Sequence, residues 1–373
     1  MSRSPAILQV LPALVSGGVE RGTIEIAEAL VGAGYRALVA SAGGTMVAEL
    51  GKVGAVHVEL PLTTKNPLEI LRNSGRLARL VREQDVAIIH ARSRAPAWSA
   101  LLAARRTGTR FITTYHGTYN EGFPGKRLYN SVMARGDRVI AISSFIADHV
   151  QATHGTPASR IRLIPRGVDP RRFDPALVSP ARVVALRDAW GAGPGAPAVV
   201  LPGRITRWKG AAVLVEALAR LPGVIGVLAG GGNPGFAEEL RQLAERHGVT
   251  DRLRLLGHVE DMAAVLLAAD VVLHASIEAE AFGRTVIEAQ AMARPVVAAD
   301  LGGPRETVAE GVTGWRVAPG DPAALAAVLG RVLAMPGAAR HAIGQAARAA
   351  VLRDNTTAMM QRRTLELYRE LLA

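Results

Sequence analysis

Residues 6–41 read AILQVLPALVSGGVERGTIEIAEALVGAGYRALVAS. An apolar run, AILQVLP, leads into a Gly-Gly turn at Gly17 and Gly18. An amphipathic stretch, VERGTIEIAEALVGAG, follows and stops at glycine, and a second apolar run, RALVAS, comes next. The outer segments are apolar on both faces, as in parallel strands covered by helices. The middle segment has the periodicity and terminal glycine of a helix. The stretch therefore predicts a strand, a crossover helix and a parallel strand. Glycines in the turn let the backbone approach a phosphate or a sugar. The turn is not the G-x-G-x-x-G fingerprint, which argues against an NAD-dependent dehydrogenase.

The same alternation continues outward. VHVEL, VAIIHA, RFITTYH, RVIAIS and IRLIP complete one set of strands, and AVVLPG, VIGVLAG, LRLLG, VVLHAS and PVVAA form another. PGFAEELRQLAERHG is a second clear amphipathic helix ending at glycine. Two passes of βα alternation over 373 residues predict two doubly wound α/β domains, each of Rossmann-like parallel-sheet type. Proline, glycine and alanine dominate residues 171–200, and a fresh strand begins at Val199. We place the domains at 1–180 and 181–354, with a last helix at about 355–373 packing back on the first.

The composition is that of a globular chain, 49% hydrophobic and 20% charged, and no apolar run reaches the ~20 residues of a membrane span. Gln9 and Pro12 interrupt the first apolar stretch, which reads as a strand and loop rather than a signal peptide, so the expected location is cytoplasmic. With no cysteine there are no disulfides and no thiolate metal sites. The net charge of +12 is uneven, because residues 1–172 hold 23 Lys and Arg against 12 Asp and Glu. A basic half suits an anionic partner, and equally an Arg-rich solvated surface. In EILRNSGRLARLVRE, Arg72, Arg76, Arg79 and Arg82 fall near one helix face that could rest on anionic lipid at the inner face of the cytoplasmic membrane. Only 4% of residues are aromatic, which leaves little stacking surface for nucleic acid.

Candidate site residues sit at strand-to-helix corners, where α/β domains bind ligands. In LPGRITRWKGAAVLVEAL, Arg204 and Lys209 are five apart in such a corner. A planar fork of donors and a mobile point charge can grip a diphosphate; alone, two exposed loop cations would read the same. In EAEAFGRTVIEAQAMARP, Glu280 precedes a helix start at Phe282, Gly283, Arg284 and Thr285, and Glu288 lies within the helix. Free N–H groups there make an anion site, and the carboxylates could each accept from a pair of sugar hydroxyls. Alone, they are equally a capping acid and a solvated one. His116, in FITTYHGTYNEG, ends a strand; it could bond a sugar hydroxyl, or be structural. There is no Asp-x-Asp motif and no P-loop, so no metal and no cofactor is expected; protein cations would neutralise any diphosphate.

In their order and joint chemistry these segments resemble the family 4 glycosyltransferases, retaining enzymes of the GT-B fold with two Rossmann-like domains facing across a cleft. The likeness runs through SGGVERGTIEIAEAL, TYHGTYN, IRLIPRGVDPRRFDP, GRITRWKGAAVLVEAL, LLGHVEDMAAVLLAADVVLHAS and EAFGRTVIEAQAMARPVVAADLGGPRETV. It implies an N-terminal acceptor domain and a C-terminal domain for a nucleotide-sugar donor. It implies that Glu280 and His116 touch the donor sugar, that Glu288 holds the ribose, and that Arg204 and Lys209 hold and stabilise the departing diphosphate. Gly17, Gly18, the main chain around Val259 and that from Phe282 to Thr285 would bind other donor groups. SIEAEAFGR and TYHGTYN are similar to branches that build lipopolysaccharide and other bacterial surface polysaccharides, which implies a glycan or lipid-linked cell-envelope acceptor. The rival readings are a nucleotide-sugar epimerase or hydrolase on the same fold, and a non-catalytic sugar-nucleotide binding protein.

Overall fold

The computed structural model describes residues 4–15, 17–122, 124–193 and 195–373. The chain divides into two compact units. One is residues 1–165 with 357–373; the other is Arg166–Thr356. The sequence reading set these divisions at 180 and 354. Residues just after Pro165 join the second unit because Val168 N donates to Asn355 O at 2.9 Å and Arg348 Nη1 donates to Phe173 O at 3.4 Å.

In the first unit the strands are β1 (Ala6–Val10), β2 (Arg36–Ser41), β3 (Val56–Glu59), β4 (Val86–Ala91), β5 (Arg110–Tyr115), β6 (Arg138–Ala141) and β7 (Ile161–Leu163). They form one sheet in the order β3-β2-β1-β4-β5-β6-β7, with every pairing parallel. β1 is buried throughout, and helix Gly18–Gly32 turns Ile24, Ile26, Ala27 and Leu30 onto it. Each of the isoleucine and leucine side chains removed from water contributes about 1.5–3 kcal/mol. The last helix, Thr357–Leu372, closes the same core through Met360, Leu367 and Tyr368. Buried Tyr368 Oη lies 2.6 Å from His90 Nδ1, and His90 Nε2 lies 2.6 Å from Thr114 Oγ1. These bonds satisfy an imidazole in the middle of the sheet. Burial pushes the Tyr368 phenol up despite Arg92 beside it. Helix Pro67–Glu83 starts with proline behind an Asn66 cap and leaves Arg72, Arg76, Arg79 and Arg82 exposed.

In the second unit the strands are β8 (Ala198–Pro202), β9 (Ile225–Ala229), β10 (Leu253–Gly257), β11 (Val271–His274), β12 (Val296–Ala299) and β13 (Trp315–Val317), ordered β10-β9-β8-β11-β12-β13 and again all parallel. β13 is absent from the sequence reading. It has three residues, one of them a partly exposed arginine, so no apolar run marks it. Both sheets reverse direction of growth at one place, between β1 and β4 and between β8 and β11. There the loops after neighbouring strands diverge and leave a crevice. Among the described residues no single helix is long and apolar enough to cross a membrane, although Pro322–Ala334 and Gly337–Asp354 pass together by length and composition as a pair bent by 108°.

Candidate functional site

The candidate charged groups of the second unit lie in the loops and helix starts that follow β8 and β11, at the switch point. β8 ends at Pro202; Gly203 and exposed Arg204 follow, then a short turn, Arg207–Lys209, and helix Ala211–Leu218. β11 ends at His274, and its loop runs through Ser276 to Glu280. Gly210 sets the distance between the two loops. Its φ is +75°, and a Cβ there would stand 1.9 Å from the Ala275 carbonyl oxygen. No other residue permits that approach. Ile277 N donates to Trp208 O at 2.8 Å and ties the loops a second time.

Three donors consequently meet on one oxygen. Lys209 Nζ and Ser276 Oγ each donate to Glu280 Oε1 at 2.5 Å, and His274 Nε2 lies 2.7 Å from it. His274 Nε2 faces a carboxylate oxygen, which can only accept, so it is the donor; the ring's other nitrogen, Nδ1, is buried without a partner among the described residues. Glu280 Oε2 takes none of these bonds. Burial opposes the charge on Glu280, but the His274 hydrogen bond and then Lys209 outweigh it and hold the carboxyl well below the usual carboxylate range. Lys209 Nζ also lies 4.5 Å from the centre of the Trp208 ring. The Glu280 turn is seated from below by Gly303, whose N–H donates to Glu280 O at 2.8 Å and where a Cβ would come within 2.3 Å of Ala281 O.

Helix Arg284–Ala291 begins just beyond, with Gly283 at its N-cap in the left-handed region and Phe282 buried behind it. Thr285 lies beside the β8 loop, since a Cβ on Gly203 would stand 3.9 Å from Thr285 Cγ2. Glu288, one turn into the helix, pairs with Arg284 at 3.6 Å, and both side chains are mostly buried. Val259 is half-buried in the loop between β10 and helix Met262–Ala268. The structure thus brings Lys209 to Glu280 and Arg284 to Glu288, and sets the Arg204 loop beside the helix start. Gly17, Gly18 and His116 belong to the other unit: Gly17 caps helix Gly18–Gly32 with a φ of +130°, and half-buried His116 follows β5. Sequence reasoning missed His274 and Ser276. Their signal was a histidine and a serine on alternate residues at the end of a buried strand, at the switch point. Among the described residues no three His, Asp or Glu side chains gather in an arrangement that could hold a metal ion.

Comparison with known proteins identifies the family. A model described as Glycosyltransferase Family 4 matches residues 16–172, and one described as Glycosyl transferases group 1 matches residues 185–350. A solved glycosyltransferase from Rickettsia africae is 38% identical, with a TM-score of 0.91 over 99% of both chains. The chain belongs to the family 4 glycosyltransferases. Its two doubly wound units are those of the GT-B fold. This glycosyltransferase is also similar to Anabaena HepE, solved with UDP and glucose, at 25% identity and a TM-score of 0.85 over 98% of this chain and 100% of that one. Among curated relatives, a D-inositol 3-phosphate glycosyltransferase from Xylanimonas cellulosilytica is 39% identical over 225 residues, which is 59% of this chain and 54% of the relative. The chain spans about half the length of the curated relatives it matches.

Proposed function

We propose that this glycosyltransferase moves a sugar from a nucleotide-diphosphate donor to a cell-envelope acceptor, with retention at the anomeric carbon and without a metal ion. The observation that carries the reading is the convergence of Lys209, His274 and Ser276 on Glu280 Oε1. Three donors fix the carboxylate and keep it charged, while Oε2 remains to accept from a hydroxyl of the donor sugar. An ammonium has three hydrogens, so Lys209 can bond Glu280 and still donate to a diphosphate. With Arg204 and the N–H groups at Gly283, Arg284 and Thr285, it would stabilise the charge that develops on the departing nucleotide. That is electrostatic catalysis by groups already in place. Glu288 would accept from the ribose, and the main chain at Val259 would meet the base. From the first unit, Gly17 and Gly18 would approach the donor phosphates and His116 a hydroxyl near the reacting carbon. A UDP-hexose is the first donor to try, because similar Anabaena HepE is solved with UDP and glucose. Lipopolysaccharide core or a lipid-linked glycan is the acceptor class suggested by the SIEAEAFGR and TYHGTYN segments.

The test is a panel of UDP-, GDP- and ADP-sugars read by ligand-induced thermal shift. Turnover with EDTA present and the anomeric configuration of the product by NMR complete it. A shift with one donor, turnover in EDTA and a retained anomer are expected. Free sugar or an epimerised nucleotide as sole product, an inverted anomer, or strict metal dependence would each overturn the corresponding part.

A further inference from the structure

The first unit has a basic groove outside the site described above. It is open, with a volume of about 800 Å³, and Arg105, Arg127, Arg135 and Arg160 line it together with His154 and Leu128. Arg105 lies in the last turn of helix Arg94–Thr107, Arg135 follows the turn Ser131–Ala134, and Arg160 ends the turn Ala158–Arg160. These segments lead into β5, β6 and β7. Ligand crevices of α/β sheets form instead from the loops that leave the C-terminal ends of the strands. No carboxylate and no Phe, Tyr or Trp is among the described lining residues, and none of the four arginines makes an ion pair among the described residues. Four guanidiniums around one groove repel one another until an anion joins them.

Neutral partners hold these side chains in place. Arg127 Nη2 donates to Thr153 O at 2.5 Å, and Arg160 Nη2 donates to Gly136 O. Arg135 Nε donates to Ser131 Oγ at 3.1 Å, and its guanidinium lies 5.2 Å from the centre of the Trp98 ring. Carbonyl and hydroxyl oxygens orient the forks and leave their charge uncompensated. The resulting field reaches His154. Burial holds that imidazole below its ordinary value, Glu121 opposes the shift, and His149, Arg127 and Arg135 pull the same way as burial. Glu121 itself does not line the groove. Leu128, beside the guanidiniums, is 62% exposed.

We infer that this groove docks an acidic, carboxylate-rich segment of a partner protein. Its charge calls for an anion, and arginine forks match carboxylates two hydrogen bonds at a time. Arginine clusters are a recurring way to recognise acidic motifs, and Leu128 offers an apolar side chain of the segment something to cover. Nucleic acid bases would find no ring to stack on. A bilayer seats a broad amphipathic face, whereas this is a groove with one leucine on it. The inference goes beyond glycosyl transfer and does not depend on it.

The full chain is titrated into a fluorescein-labelled peptide repeating Glu-Glu-Leu, read by anisotropy at about 150 mM salt, with the Gln-Gln-Leu repeat as control. The informative variant combines Arg105→Gln and Arg127→Gln. A second variant, Arg79→Gln with Arg82→Gln, removes the same charge from the exposed face of helix Pro67–Glu83 and controls for net charge. We expect the acidic peptide to bind about tenfold or more tightly than its control, the groove variant to lose about fivefold or more, and the helix variant to bind as wild type. Arg105→Gln alone gives up no hydrogen bond within the described chain, so it should weaken binding without altering the thermal transition. Equal binding of the two peptides, no loss in the groove variant, or the same loss in both double variants overturns the inference. Tighter binding of phosphatidylglycerol vesicles or of polyuridylate than of the acidic peptide, lost in the groove variant, assigns the groove to lipid or to nucleic acid and also overturns it.

Discussion

Lys209 Nζ and Glu280 Oε1 stand 2.5 Å apart although 71 residues separate them in the chain. The ion pair exists because β8 and β11 are neighbours in the sheet and because Gly210 lets their loops touch. Both side chains are mostly buried, so the pair is screened little by salt.

Lys209→Ala and Glu288→Ala should each abolish the donor-induced thermal shift while leaving a cooperative unfolding transition. Lys209→Ala is expected to cost about 1–3 kcal/mol of stability, since His274 and Ser276 still bond the carboxylate. A full donor shift in both variants would remove the site assignment.

The pH dependence has a definite sign. The folded state holds Glu280 below its ordinary value of 4.5. Its ionised form therefore contributes stability that is fully present above the ordinary carboxylate range and is lost as pH falls through the lower folded value. His274→Ala removes the first of the lowering contacts, so folded Glu280 should protonate, and that loss be complete, at higher pH. Acid unfolding monitored by circular dichroism, and the acid limb of the activity profile, should both move up. An unchanged acid limb would show that His274 does not act through Glu280.

Gly210→Ala should be among the most damaging single substitutions. The new Cβ meets the Ala275 carbonyl, and the backbone is left-handed there, so a loss of about 2 kcal/mol or more is expected in urea unfolding. Activity should fall further than stability alone explains, because the β8 and β11 loops separate.

Tyr368→Phe removes the bond to His90 Nδ1 and leaves a buried imidazole nitrogen unsatisfied. About 1–3 kcal/mol should be lost, with faster amide exchange confined to helix Thr357–Leu372 and the strands beneath it. Unaltered exchange there would mean that apolar contacts alone hold the helix.

The exposed arginines at 72, 76, 79 and 82 give a lipid-contact test. Replacing all four by alanine should reduce co-sedimentation with anionic vesicles, more strongly at low salt. Equal sedimentation of both proteins would assign that face to solvent.

The sequence by itself determined the two doubly wound units. Apolar runs buried on both faces and helices stopped by glycine are local signals, and each strand from AILQVLP to PVVAA carries its own. It also marked Arg204, Lys209, Glu280 and Glu288 as candidates, in strand-to-helix corners and in the helix that follows one of them. Only the tertiary structure decided which oxygen of Glu280 is held and by what. His274 and Ser276 are alternate residues of one strand end, and their meaning depends on Lys209 arriving from another strand 71 residues away. Gly210 and Gly303 likewise read as ordinary turn glycines until the backbone they admit is in view. Local periodicity fixes elements, because it reflects burial of each segment alone. Charge placement is a property of the crevice, because it arises from packing between segments that the chain order keeps apart.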